Sequence, residues 1–166
     1  GFISTSSDGG LTWGARIPTV NNAGGIGGQP VVQPDGTVVV PMNSSFQSSI
    51  LAFRSTDGGA TWTKPVTVSA VSSHRVAGNL RTSPLPSAEV DATGKVYVVW
   101  QDCRFRARCK TNDIVMSTST DGVSWTAVVR IPIDIRQSRV DHFIPGLAVD
   151  STTAGAGAHL ALAYYY

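Results

Sequence analysis

Arginine and aspartate are the residues through which this chain could do chemistry, and they are unevenly spread. Five polar segments (21–29, 43–49, 72–86, 101–113 and 134–146) carry Arg75, Arg81, Arg104, Arg106, Arg108, Lys110, Arg136 and Arg139, eight of the 13 lysines and arginines. Only Asp102, Asp113, Asp134 and Asp141 oppose them. A guanidinium is a planar fork that grips a carboxylate through two parallel hydrogen bonds, so this imbalance favours an anionic ligand. Arg81 and Arg139 occupy corresponding positions in successive repeats, and Arg104 lies in the repeat between them; these three are the candidate anion-binding set. The alternative is that each is a solvated loop arginine. Proton transfer would need a placed carboxylate, for which Asp102, Asp141 and Glu89, the sole glutamate, are candidates. For the two aspartates the competing reading is loop capping. Trp100 is either a stacking platform for a sugar ring or a core residue.

The elements that would position these groups are announced by a repeat. "SSDGGLTW" (Ser6–Trp13) returns as "STDGGATW" (Ser55–Trp62) and, one residue shorter, as "STDGVSW" (Ser119–Trp125). Between the copies, "GQPVVQPDGTVVVPMN", "PSAEVDATGKVYVVWQD" and "PGLAVDSTTAGAGAHLALAYYY" each read as strand, Gly-containing turn, strand. A third strand, the Asp string and a fourth strand follow. Short, evenly spaced strands with a recurring Gly/aromatic signature predict a β-propeller of four-stranded antiparallel blades. The single chain, 1–166, then holds strands C and D of one blade, full blades at about 28–70 and 86–133, and strands A and B of a further blade at about 146–166. In a meander the A–B and C–D turns share one end, and the five basic segments share the other.

The string itself suits a turn device. A short carboxylate accepts inward-pointing backbone N–H groups, Gly supplies positive φ, and Trp packs against the sheet. One carboxylate is too few for a calcium loop. Asp8, Gly10 and Trp13, Asp57, Gly59 and Trp62, and Asp121, Gly122 and Trp125 are therefore assigned structural roles. Ser-x-Asp-x-Gly-x-Thr-Trp resembles the Asp-box, or BNR repeat, of sialidases (neuraminidases) and their relatives; the third copy departs by one deletion and by Ser124 for Thr. The resemblance implies about half of a six-bladed sialidase-like propeller. The remaining blades would come from a longer parent chain or from a second copy in a homodimer. It also implies a substrate carboxylate held by three arginines, a tyrosine activated by a glutamate, and an aspartate acid/base. Asp boxes occur in non-hydrolytic proteins too. Arg16-Ile17-Pro18 and Arg130-Ile131-Pro132 imitate the family's Phe-Arg-Ile-Pro element but lack the Phe and fall on outer strands.

Composition bounds the rest. Gly (17) and Pro (9) are plentiful and charged residues make up only 14%, an all-β, extracellular profile. A net charge of +2 does not suggest nucleic acid, and no segment is apolar for long enough to span a bilayer as a helix. "GFISTSSDGG" lacks a basic and apolar leader, so the chain reads as a mature product or an excised piece. Cys103 and Cys109 are close enough for a disulfide, the alternative being two reduced thiols. Neither a metal nor another cofactor is implied. Asn43-Ser44-Ser45 is a glycosylation sequon. The expectation is a secreted, exo-sialidase-like propeller recognising an acidic glycan through its basic loops. Its competitors are a non-catalytic module binding a glycan or protein partner, and a purely structural segment.

Overall fold

Runs such as Val38-Val39-Val40 and Val96-Tyr97-Val98-Val99-Trp100 consist of β-branched and aromatic residues. These suit a pleated backbone whose two faces are both covered. The computed structural model describes residues 1–166, the side chain of Asn22 excepted, and places these runs at the centres of sheets. Strands β1 (Phe2–Ile3) and β2 (Ile17–Pro18) form an antiparallel pair. A blade follows from β3 (Gly25–Ile26), β4 (Val31–Val32), β5 (Val38–Ser44), β6 (Ser49–Ser55) and β7 (Val66–Ala70). Its innermost strand is split, since β3 and β4 both pair with β5 on either side of Gly27 and Pro30. The next blade is β8 (Ser87–Val90), β9 (Val96–Asp102), β10 (Asp113–Ser119) and β11 (Val129–Arg130), in simple meander order. A last pair, β12 (Phe143–Val149) and β13 (Leu160–Tyr165), completes the all-β arrangement.

The core lies between blades. Val31, Val39 and Ile50 meet Ala88, Val96, Val98, Trp100 and Val115 across one interface. Tyr97, Val99 and Ile114, on the opposite face of the second full blade, meet Leu147 and Leu162. All seven residues of β9 are consequently buried, and Trp100, fully covered, is a core residue rather than a sugar platform.

The first two Asp boxes are built alike. In the second, Ser55 Oγ donates to Asp57 Oδ1 (2.7 Å) and accepts from Gly59 N–H (2.8 Å). Asp57 accepts from Thr61 N–H (2.9 Å) and Oγ (2.5 Å), and Trp62 Nε1 donates to the Gly59 carbonyl (3.0 Å). Gly58 and Gly59 have φ of 69° and 90°, which explains the glycine pair. In the shortened third box Asp121 accepts instead from Val123 and Ser124 N–H, and Trp125 Nε1 finds no acceptor among the described residues. Trp62 packs on Phe53 with Ile3 and Ile17 nearby, and Trp125 packs against the core between the two full blades. Trp13, with no preceding blade in this chain, is 65% exposed.

A second repeated device closes the A–B turns at the same end. Asp35 accepts from Thr37 N–H, Asp91 from Thr93 and Lys95 N–H, and Asp150 from Thr152 N–H. Asp91 also accepts from Tyr97 Oη (3.0 Å) and from Gly155 N–H of the following pair (3.1 Å), tying adjacent sheets together. Burial and this bond push the Tyr97 hydroxyl up to about 12.

Candidate functional site

At the opposite end, the loops after β5, β7, β9 and β11 gather the basic segments. They are bonded to one another: Cys103 N–H donates to the Ser72 carbonyl (2.7 Å), His74 N–H to Asn112 Oδ1 (2.8 Å) and His142 N–H to the Asn112 carbonyl (3.0 Å). Cys103 and Cys109 form a disulfide that closes the β9–β10 loop on itself.

Asp102, at the end of β9, is fully buried, and Arg104 lies against it. The guanidinium donates to both Asp102 oxygens (2.9 and 2.7 Å), to Ser69 Oγ (3.0 Å) and to the Ala70 carbonyl. Ser72 N–H and Trp100 Nε1 also donate to Asp102. This candidate acid and this candidate anion-binding arginine therefore satisfy each other.

A second, larger cage lies between β10 and the loop after β11. Arg106, its side chain 2% exposed, contacts Asp113 and Asp134 at 2.6 Å each, and Arg130 reaches the same two carboxylates at 2.9 and 2.5 Å. His142 Nε2 stands 3.8 Å from Asp134. Burial acts to raise the Asp134 carboxyl, but the Ser138 hydroxyl and the Arg106 guanidinium outweigh it and hold that group below its ordinary range. Asp113, Asp134 and His142 each bring a ligand atom within 4.8 Å of the others, the spacing of a metal set. Two guanidinium groups already fill the cation's place there, so this donor set does not suit a metal. Arg130, set aside on sequence as an outer-strand imitation, does lie on the outer strand β11, and it serves in this cage.

Asp141 belongs to a third network. It accepts from Asn112 N–H (2.8 Å) and Nδ2 (3.0 Å) and lies 3.1 Å from His74 Nδ1. Asn112, fully buried, also donates to the His74 carbonyl. Sequence reading missed His74 and Asn112, whose partners lie far away along the chain; the one local hint was an Asn-Asp pair opening a strand.

The remaining candidates do not converge. Arg81 lines a shallow depression of about 350 Å³ with Leu80, Phe143, Ile144, Tyr165 and Tyr166. Arg139 lines a separate cleft of about 420 Å³ between the disulfide loop and residues 136–139. Glu89 is half-buried on β8, the innermost strand of its blade, and makes no ion pair among the described residues. Arg81, Arg108, Lys110, Arg136 and Arg139 likewise have no carboxylate partner there.

Four-stranded meanders, Asp-box turns and cross-bonded loops at one end define a partial β-propeller. The sequence matches the BNR repeat-like domain family over residues 2–157, and the chain belongs to that family. No curated protein sequence matches it. Among solved structures it is similar to the K499G mutant of the NanB sialidase from Streptococcus pneumoniae (16% identity, TM-score 0.61, 97% of this chain and 23% of that one). It is also similar to a Penicillium chrysogenum alpha-L-arabinanase complexed with arabinobiose (24%, 0.62, 88% and 45%). A third is the GH93 alpha-L-arabinofuranosidase of Fusarium graminearum (23%, 0.56, 98% and 53%). At such identities the likeness is one of fold. The chain spans between 23% and 53% of the length of these structures.

Proposed function

We propose that this chain is a segment of a secreted, glycan-recognising propeller whose basic loop end binds an acidic saccharide. The observation that carries the reading is the charge left over at that end. Asp102, Asp113 and Asp134 are taken up by Arg104, Arg106 and Arg130, while Arg81, Arg108, Lys110, Arg136 and Arg139 have no carboxylate partner among the described residues. Uncompensated guanidiniums on a rigid scaffold attract and orient carboxylates and sulfates. The disulfide supports an oxidising compartment. Further strands beside β1 and β13, from a longer parent chain or a second copy, would complete the ring.

Hydrolysis is the stronger form of the proposal, with Glu89 as the uncommitted carboxylate on an innermost strand. One observation favours binding without turnover: all four loop-end aspartates already sit in ion pairs or hydrogen-bond networks. Cleavage, whether by a tyrosine–glutamate pair or by two carboxyl groups, needs a free carboxyl acid/base besides Glu89. The test is a paired assay of the full chain. Binding of acidic and neutral oligosaccharides is measured across a salt series, and turnover is measured with fluorogenic sialosides and arabinofuranosides. Salt-sensitive binding of the acidic ligands alone supports the proposal, and turnover abolished by Glu89→Gln supports its hydrolytic form. Equal binding of neutral ligands overturns it.

A further inference from the structure

The cleft that holds Arg139 differs in kind from the rest of the loop end. Its walls are the β9–β10 loop and the stretch after β11, so it lies over the outer half of its blade. The innermost strands β4, β8 and β12 frame the other side. We propose that this cleft is a preformed subsite for one charged unit within an acidic polysaccharide, bound through its carboxylate or sulfate by Lys110, Arg136 and Arg139. This deepens, and rests on, the reading of the loop end as glycan-binding.

The walls are fixed before any ligand arrives. The Cys103–Cys109 bond closes one wall. Arg106 braces the other, donating to the carbonyls of Ile135 (2.8 Å) and Ser138 (3.2 Å) and to Asp134 (2.6 Å). Its charge is spent on Asp113 and Asp134, so Arg106 is a strut and not a ligand-binding group. Arg136, which lines the cleft, has its guanidinium carbon 5.9 Å from the centre of the Phe105 ring, a cation–π contact that restricts its side chain. Lys110 and Arg139 are exposed at the rim and have no carboxylate partner among the described residues. Thr111 and Gln137 complete the lining with neutral groups suited to sugar hydroxyls. At about 420 Å³ the cleft falls in the range of about 300–1,000 Å³ typical of small-molecule sites. Rigid walls remove the loop-ordering part of the cost of binding.

Position decides the ligand class. A saccharide that ends at the centre of the ring would not reach this cleft with its terminal acid. A chain carrying acids along its length would reach both. A single-stranded nucleic acid would call for open aromatic faces on which bases stack. The aromatic ring flanking this cleft, Phe105, is half-buried and faced by Arg136.

The test is titration calorimetry of the full chain at low salt with tetragalacturonate, a neutral galactose tetramer and an oligonucleotide of equal charge. The expected result is binding of tetragalacturonate alone. Arg136→Ala, Arg139→Ala and Lys110→Ala should each weaken it about tenfold, the loss of one charge-assisted hydrogen bond. Arg139→Lys should keep part of the affinity, and Lys64→Ala, at an exposed residue just after the second Asp box, nearly all of it. Far-ultraviolet circular dichroism and thermal melts would establish that each exposed-site variant is folded. If the triple cleft variant binds as before while Arg81→Ala does not, the cleft inference falls and the glycan reading of the loop end stands. If no acidic saccharide binds, both fall. Tighter binding of the oligonucleotide would overturn the ligand class.

Discussion

Asp102 holds Arg104, two residues away, through both carboxylate oxygens, and the same guanidinium crosses to Ser69 and Ala70 on the preceding blade. The arginine thus clamps the end of β9 to the end of β7. Arg104→Ala would leave a fully buried carboxylate with only Ser72, Trp100 and its own loop N–H as donors. Chemical denaturation should show a loss of about 2–3 kcal/mol, somewhat below the cost of breaking a wholly buried pair because Arg104 is partly solvated. Anion binding by the folded variant should be unchanged.

The Asp-box tryptophans should differ sharply in value. Trp62→Ala removes a ring packed edge-on against Phe53 and should cost about 3–5 kcal/mol. Trp13→Ala, at an exposed position, should stay within about 0.5 kcal/mol. Equal losses in urea melts would contradict the role given to inter-blade packing.

Glycine substitutions in the boxes make a similar contrast. A Cβ at Gly122 (φ 69°) would come within 2.7 Å of Val39 Cγ2, whereas at Gly9 (φ 73°) it would meet nothing within 4 Å. Gly9→Ala should therefore cost only the backbone strain, about 1 kcal/mol. Gly122→Ala adds a clash in the core and should cost about 2–4 kcal/mol.

Acid should unfold the scaffold through its turn aspartates. The Thr61 hydroxyl and N–H lower Asp57 to about 2. At Asp91 and Asp121 burial pulls upward, but the Thr93 and Gly155 donors, and the Ser124 and Val123 N–H groups, bring both to about 2. A depressed folded-state value means that the carboxylate stabilises the fold above its unfolded value of 3.8 and loses that effect as the pH falls through 2. A series of melts from pH 5 to about pH 2 should show Tm falling mainly below about pH 4. A Tm that stays level down to about pH 2 would contradict this assignment.

Reduction of Cys103–Cys109 should cost about 2 kcal/mol, at the low end for disulfides because the closed loop is short. Amide exchange should rise in 103–112 and, through Arg106, in 134–138. Exchange confined to the first segment would show that Arg106 braces the cleft without help from the disulfide.

The architecture was legible in the sequence because its signals are local. Each Asp string closes on its own residues, and each strand pair shows as two apolar runs around a Gly turn. The Asp35, Asp91 and Asp150 device is equally local, each carboxylate accepting from an N–H two residues on in its own turn. The fate of the charged loops was not legible. Arg104 answers to Ala70, and Asp141 to His74 and Asn112, partners that only the folded chain brings into reach. Net charge in a loop says that cations are present; it does not say which of them are already spent.

The two ends of each blade follow different rules of change. At the Asp-box end the carboxylate of each string closes on its own turn, so a change within one string is absorbed locally. Gln33 to the Gly94 carbonyl, Arg54 to the Asp121 carbonyl and Gly155 N–H to Asp91 join successive blades pairwise. At the other end Ser72 is bonded to Cys103, His74 to Asn112, and Asn112 to both Asp141 and His142. A substitution there is felt in three loops at once, so new specificity on that face arises through concerted changes, each conditional on the others.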